Sequence, residues 1–147
     1  MTVKTKKIVT ETENDPLTSQ IIACSYKVHN ELGPGFNERI YHNALMVALG
    51  QEDLRLETEE SHDVFYQGKK VGRFRLDLVV ENEVVVEVKA IAGSIPKVFG
   101  GQVLSYLKSS RYKTGLLINF GNKSCQVRRL ILKEGTLNHR NHLLKSP

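Results

Sequence analysis

Long apolar runs are missing from this 147-residue sequence, and none approaches the roughly 18 residues of a membrane-spanning helix. The first residues, MTVKTKKIVTETENDP, begin with basic side chains but lack the apolar stretch of a secretory signal. We therefore expect a cytoplasmic protein that does not insert into a membrane.

Residues for metal, nucleotide or disulfide sites are also few. The two cysteines, Cys24 and Cys125, are far apart, and the five histidines show no zinc-like grouping with them. Neither Gly33-Pro34-Gly35 nor Gly100-Gly101 has the spacing of a phosphate loop, so ATP binding is not indicated. We expect two free thiols in a reducing compartment.

The composition is ordinary for one globular domain, with 40% apolar and 25% charged residues. A net charge of +5 favours polyanionic partners, although only mildly. The polar termini predict a flexible arm at residues 1–15, a domain at 16–133 and a flexible basic tail at 134–147.

Apolar spacing predicts three helices. The apolar positions of the first helix begin at Leu17. Asp15, Thr18 or Ser19 is available as its N-cap, and Gly33 ends it. The second is capped by Asn37 and ends near Gly50, and the third spans about 97–110, after Pro96. Apolar positions of the first helix recur at Leu17, Ile21, Cys24, Val28 and Leu32.

Strand patterns follow the second helix at about 54–59, 62–67, 71–80 and 83–90, and two more follow the third helix at 114–120 and 125–132. Short connections predict antiparallel pairing for the early strands, whereas 114–120 is reached by a crossover. The fold class is therefore α/β or α+β, a single domain with a mixed central sheet flanked by helices.

The strands VGRFRLDLVV and EVVVEVKA each have an apolar side, because side chains alternate along a strand. Matching these sides fixes a register in which Val80, Leu78 and Leu76 lie opposite Val84, Val86 and Val88, with a three-residue loop, Glu81-Asn82-Glu83. One side of the first strand carries Phe74, Leu76, Leu78 and Val80. Asp77 then lies directly opposite Glu87.

Two adjacent carboxylates repel each other unless a cation neutralises them, and Mg²⁺ prefers oxygen ligands of this kind. Lys89 points to the same side as Glu87, where it can orient a water or neutralise charge on a phosphate. The basic pair Arg73 and Arg75 lies beside this group and can contact a nucleic-acid backbone. For the Glu-Val-Lys triplet alone, a solvated polar strand face is the more common explanation.

Together, Asp77, Glu87-Val88-Lys89 and the following helix and strand resemble the PD-(D/E)XK nuclease superfamily. The run from Gly35 to Tyr41, GFNERIY, matches the G-x-x-E-x-x-Y signature of the GxxExxY proteins of that superfamily, and GLLINFG is also similar to theirs. The residue before Asp77 is leucine, where the superfamily name has proline.

The resemblance implies a restriction-endonuclease-like αβββαβ core and roles for further residues. Glu38 matches a helix acid that supports the metal site, and Tyr41 shares its helix face. Gln102 and Tyr106 resemble the Q-x-x-x-Y element of RecB-like nucleases, although a helical pair at this spacing is equally typical of a core face.

We therefore expect a metal-dependent nuclease that hydrolyses phosphodiester bonds, with DNA as the expected substrate. Asp77, Glu87, the Val88 carbonyl and Glu38 would hold Mg²⁺ or Mn²⁺, and Lys89 would position the attacking water. Gln102, Tyr106, Tyr41, Arg73 and Arg75 are the expected nucleic-acid contacts. The alternatives are a non-catalytic nucleic-acid- or protein-binding module and a small-molecule phosphodiesterase. A homodimer is a further expectation, because cutting two strands often uses two copies.

Overall fold

The computed structural model describes residues 15–133, so the predicted tail and all but the last residue of the predicted arm lie outside the described range. The elements are α1 (Pro16–Leu32), α2 (Glu38–Gln51), β1 (Leu56–Tyr66), β2 (Lys69–Val80), β3 (Val84–Lys89), α3 (Lys97–Lys108), β4 (Thr114–Asn119) and β5 (Gln126–Ile131). Within residues 15–133, no helix is long and apolar enough to cross a membrane.

The five strands form one sheet in the order β1-β2-β3-β4-β5. Only β3 and β4 run parallel, and the other neighbours are antiparallel. The crossover between β3 and β4 contains α3, as parallel pairing requires. This mixed sheet with flanking helices confirms the predicted α+β fold class.

Two helix starts are fixed by side-chain caps that the sequence indicated. Asp15 Oδ1 accepts a hydrogen bond from the Leu17 amide at 3.1 Å, and Asn37 Oδ1 accepts one from the Ile40 amide at 3.2 Å. Each cap satisfies an amide that has no partner within its own helix.

The predicted strands 54–59 and 62–67 are one strand, β1, so predicting them as separate was wrong. The ladder with β2 runs from the pair Leu56–Val80 to the pair Tyr66–Lys69. It includes an irregularity at Glu59, whose φ of 54° lies in the left-handed region. The strand therefore continues through the polar centre of the segment and does not end there.

The sheet separates two apolar clusters. On one side α1 and α2 pack against the sheet through residues that include Ile21, Leu45, Val86 and Ile118, and Cys24 lies here as a free thiol. On the other side α3 packs through Leu107 against Val79 and Val85. The architecture is therefore three-layered, with helices on both sheet faces.

Two glycines let neighbouring segments approach closely. A Cβ added to Gly115 in β4 would lie 2.7 Å from Val103 Cγ1 of α3. A Cβ on Gly121 would overlap the backbone nitrogen, carbon and oxygen of Ile91, in the segment that follows β3. Backbone atoms cannot move aside as a side chain can, so Gly121 is the more restrictive position.

We predict that Gly121→Ala destabilises the protein by about 3 kcal/mol or more, because the added methyl group overlaps the Ile91 backbone. The matched control is Gly50→Ala, in α2, where no atom lies within 4 Å of the added Cβ. This control should be neutral or stabilise the helix by about 0.5–1 kcal/mol. Urea denaturation of both variants measures the difference, and equal stabilities would contradict the prediction.

Candidate active site

The candidate site lies where β2 separates from its neighbours. The β2–β3 ladder contains the pairs Val80–Val84, Val79–Val85 and Leu78–Val86, which confirms the predicted register for two of its three pairs, and then it ends. Asp77 and Glu87 are the next residues of their strands beyond the Leu78–Val86 pair. The β1–β2 ladder also omits Asp77, because it passes from the pair at Leu78 to the pair at Leu76.

The alternation of side chains along β2 changes at this point. Leu78 and Val80 belong to the cluster with α1 and α2, whereas Leu76 and Phe74 pack in the cluster with α3. The prediction that these four residues share one face was therefore wrong. The change of side coincides with the left-handed backbone of Glu59, which lies across from Asp77 in β1.

Glu87 is an acid with too few partners. Its side chain is buried, its Oε1 has no hydrogen-bond partner, and its Oε2 lies 3.7 Å from Lys89 Nζ. Burial, followed by the negative charge of Asp77, raises the pKa of Glu87 to about 8, although Lys89 acts in the opposite direction. Glu87 therefore keeps its proton near neutral pH when no cation is present.

Lys89 is held on its other side by an aromatic ring. Its Nζ lies 4.4 Å from the centre of the Phe99 ring in the first turn of α3, a cation–π contact. The lysine side chain is only 16% exposed. The sequence analysis did not identify Phe99 as a site residue. The signal that could have indicated it was an aromatic residue in the first turn of the helix that begins after Pro96.

Helix α2 contributes Glu38 but not Tyr41. Glu38, the first residue of α2, is exposed and borders a cavity of about 440 Å³ together with Asp77. Tyr41 is fully buried, donates a hydrogen bond to the Gly33 carbonyl and stacks on Phe120 with ring centres 4.8 Å apart. The predicted nucleic-acid contact at Tyr41 is therefore corrected to a core position that fixes the turn before α2.

Helix α3 brings Tyr106 to the site. The Tyr106 ring stacks on Phe74 at 4.8 Å, and burial, followed by the charges of Glu87 and Asp77, raises the pKa of its hydroxyl. Gln102 lies one turn earlier with an exposed side chain.

The two predicted arginine contacts are exposed on β2, and each has an acidic partner. Arg73 Nε lies 3.4 Å from Asp63 Oδ1, and Arg75 Nη1 lies 3.2 Å from Glu59 Oε1. Surface pairs of this kind are weak, so both guanidinium groups remain available to other anions.

Two asparagines that sequence reasoning missed hold the segment after Lys89. Asn119 is fully buried, and its amide accepts from the Ile91 N–H at 2.8 Å and donates to the Ile91 carbonyl at 2.9 Å. Asn122 does the same for Gly93, at 2.8 and 2.9 Å. Both lie at the end of the apolar run GLLINFGN. The signal in the sequence was an asparagine at the end of a predicted apolar strand.

These side chains form a donor set suited to a hard divalent cation. A divalent cation held by Asp77 and Glu87 would favour the ionised form of Glu87, which burial and the Asp77 charge disfavour. Among residues 15–133, however, no three acidic, histidine or cysteine side chains are grouped closely enough to surround a metal ion by themselves. Further ligands would have to come from backbone, water or substrate oxygens.

Comparison with known proteins gave one finding about the family. A family model of the PD-(D/E)XK nuclease superfamily matches residues 15–130, which is most of the chain. Searches of curated proteins and of solved structures found no significant match. The GxxExxY signature is not separately confirmed by these comparisons.

We predict that Asp77→Asn stabilises the metal-free protein by on the order of 1 kcal/mol or more, because it removes a charge that opposes ionisation of Glu87. The folded protein holds the Glu87 proton up to about pH 8, whereas the unfolded chain releases it near the ordinary glutamate pKa. Wild-type stability should therefore fall as pH rises between these values, and more steeply than in the variant.

Thermal unfolding in a metal chelator across this pH range measures both effects. The matched control is Glu83→Gln, an acid-to-amide change in the exposed β2–β3 turn, which should leave the pH slope unchanged. A less stable Asp77→Asn protein with the wild-type slope would show that the two carboxylates do not interact.

Proposed function

Because the chain belongs to the PD-(D/E)XK nuclease superfamily, we propose that it is a divalent-metal-dependent nuclease that hydrolyses phosphodiester bonds in DNA. The observation that carries this proposal is the buried Glu87 carboxyl group, which interacts with Asp77 and lies 3.7 Å from Lys89 Nζ. A fold that needed only stability would not keep two interacting acids in this position, since replacing Asp77 would remove a charge that opposes ionisation of the buried Glu87.

In this proposal Asp77, Glu87 and the Val88 carbonyl hold Mg²⁺ or Mn²⁺, and Glu38 assists directly or through a water. The bound metal supplies electrostatic stabilisation of the charge that develops on the scissile phosphate. Lys89 orients the attacking water, and its ammonium group adds positive charge next to the phosphate. Phe99 and Glu87 restrict the Lys89 ammonium from two sides, which supports this positioning role.

The proposed nucleic-acid contacts are Arg73, Arg75, Gln102 and Tyr106. The arginines are exposed on β2 and suit phosphates, which carry no sequence information. Tyr106 lies close enough to Glu87 and Asp77 for their charges to raise its pKa, and Gln102 is exposed one turn earlier on α3. An aromatic ring is a side chain on which a nucleobase can stack. A homodimer would allow both strands of a duplex to be cut, and it remains part of the proposal.

The second candidate is a binding module that keeps the fold without catalysis. The ion pairs of Arg73 and Arg75 with acidic side chains would favour this candidate if DNA binding were weak. A binding module, however, gives no reason for the Glu87–Asp77 pair. A small-molecule phosphodiesterase would instead show turnover of nucleotides without affinity for DNA that falls with salt.

We predict that wild-type protein binds Mg²⁺ or Mn²⁺ saturably in calorimetry and cleaves DNA only when a divalent metal is present. The double variant Asp77→Ala, Glu87→Ala should lose metal binding, because it lacks both carboxylates. Lys89→Ala should retain metal binding but lose cleavage by about 100-fold or more, as expected for loss of a general acid–base or electrostatic group.

Glu83→Ala, on the exposed turn before β3, is the control for general loss of negative charge and should behave as wild type. Metal-independent cleavage, or full activity in the Asp77 and Lys89 variants, would contradict the mechanism. Absence of metal binding by wild type, even with DNA present, would favour the binding module.

We also predict that Phe99→Leu lowers kcat by about 10-fold with little change in KM, because the lysine loses the ring that holds its ammonium group. Phe99→Tyr should retain most activity, because it keeps an aromatic face at the same place. Single-turnover cleavage at saturating enzyme separates this effect from substrate binding. Equal activities of the leucine and tyrosine variants would show that only the volume of residue 99 matters.

A further inference from the structure

The hairpin of β1 and β2 extends beyond the rest of the sheet. The β2–β3 ladder ends at the Leu78–Val86 pair, whereas the β1–β2 ladder continues to the pair Tyr66–Lys69. Within residues 15–133, neither apolar cluster reaches beyond Phe74 toward the hairpin turn. The segment 63–73, called the ribbon below, is therefore a pair of strands that projects by roughly 16 Å, at about 3.3 Å per residue.

The ribbon is rich in positive charge. It contains three basic side chains, Lys69, Lys70 and Arg73, and one acidic side chain, Asp63. Arg75, at the base of the ribbon, adds a fourth cation, and all four basic residues are exposed. A surplus of positive charge over so short a segment favours a polyanionic partner.

An irregularity in the ladder brings two of these cations together. The pairing passes from Gly72 to Lys70 and skips Val71, which is the extra residue of a bulge in β2. Residues three apart point to opposite faces of a regular strand. Lys70 Nζ and Arg73 Nε nevertheless both lie 3.4 Å from Asp63 Oδ1. The bulge therefore places both cations where they can contact one ligand.

The acid that Lys70 and Arg73 share leaves them available to a stronger anion. Among the described residues, Asp63 Oδ1 accepts no hydrogen bond, so the two contacts are ion pairs only. The Lys70 and Arg73 side chains are 52% and 61% exposed. Exposed ion pairs contribute little to stability, and one carboxylate cannot neutralise two cations. Phosphates can therefore bind both side chains at little cost.

We propose that the ribbon enters the major groove of double-stranded DNA, which makes duplex DNA the substrate. The inference rests on the proposed nuclease function. The major groove is about 12 Å wide and about 8.5 Å deep, and it admits a two-stranded β-ribbon. The ribbon is long enough to reach the base edges, where the exposed side chains of Tyr66 and Val71 can contact thymine methyl groups. Lys70 and Arg73 contact the phosphates that border the groove.

The base of the ribbon is packed against the candidate site. Phe74 stacks on Tyr106 with ring centres 4.8 Å apart, and Tyr106 lies close enough to Glu87 and Asp77 to be affected by their charges. Asp77 follows Arg73 by four residues, about 13 Å along the strand. One turn of B-DNA is about 34 Å long. A groove that holds the ribbon therefore presents a phosphate to the acids within the same turn.

The first test compares a 20-base-pair duplex with a single strand of the same sequence. Fluorescence anisotropy with Ca²⁺ in place of Mg²⁺ measures affinity, and wild type should prefer the duplex by about 10-fold or more, because a single strand has no groove. The double variant Lys70→Ala, Arg73→Ala should bind the duplex about 10-fold or more weakly. Its plot of log affinity against log salt should lose about 2 from the slope, one for each phosphate contact.

The matched control is the double variant Lys27→Ala, Lys113→Ala, which removes the same charge from other exposed positions. Lys27 lies on α1, and Lys113 precedes the residue that pairs with Val84, at the opposite end of β3 from the acids. This control should keep the wild-type affinity and salt slope.

The second test uses unaltered protein and changes the groove. A duplex whose cytosines carry glucosylated hydroxymethyl groups has a filled major groove and an unchanged backbone charge. Wild type should bind this duplex about 10-fold or more weakly than the unmodified duplex, as expected when base-edge contacts are lost. Contacts to the backbone alone would give equal affinities.

The outcomes distinguish this inference from the proposed function. Equal affinity of wild type for duplex and single strand, or for filled and open grooves, would overturn the ribbon proposal. Wild-type affinity and salt slope in Lys70→Ala, Arg73→Ala would also overturn it. Mg²⁺-dependent cleavage of the duplex by wild type is followed in parallel. Cleavage without groove-dependent binding would keep the nuclease and overturn the ribbon proposal, whereas groove-dependent binding without cleavage would do the reverse.

Discussion

The parallel pairing of β3 with β4 is the constraint on which the rest of the domain depends. Parallel neighbours cannot be joined by a tight turn, so the chain must leave the sheet after Lys89 and return over one face. The returning segment is α3, and its close packing on β4 requires a residue without a side chain at Gly115. The crossover therefore brings Phe99 and Tyr106 to the acids and the lysine of the candidate site.

A second constraint acts where the same strand ends. The backbone after Lys89 has no strand partner of its own, and the amides of Asn119 and Asn122 take the place of a neighbouring peptide. The Phe120 amide also donates to the Lys89 carbonyl at 2.9 Å. The proposed catalytic lysine therefore stands on a backbone that is fixed on both sides, as an accurately positioned group requires.

Much of this arrangement could be predicted from local sequence, and the reasons differ between elements. The register of β2 and β3 was predictable because a slip of one residue would expose the valines of both strands. The helix starts were predictable because Asp15 and Asn37 act on amides only two or three residues away. In each case the deciding interaction lies within one or two adjacent elements.

The errors concern interactions that the local sequence does not contain. Tyr41 has helical spacing from Glu38, but its burial depends on Phe120, far along the chain. The change of side at Leu76 coincides with an irregular backbone at Glu59 in the neighbouring strand, and a glutamate gives no sign of a left-handed conformation. Phe99 was missed because its role depends on where the crossover returns.

The Asp77–Glu87 pair also has an evolutionary consequence. A group that opposes folding in the free protein is retained only while a cation or a reaction selects for it, since most stabilising changes at such sites cost function. Neither acid belongs to the apolar clusters that hold the three layers together, and loss of Asp77 would make the free protein more stable. Loss of the acid pair is thus thermodynamically downhill for this chain, and a single base change can begin it.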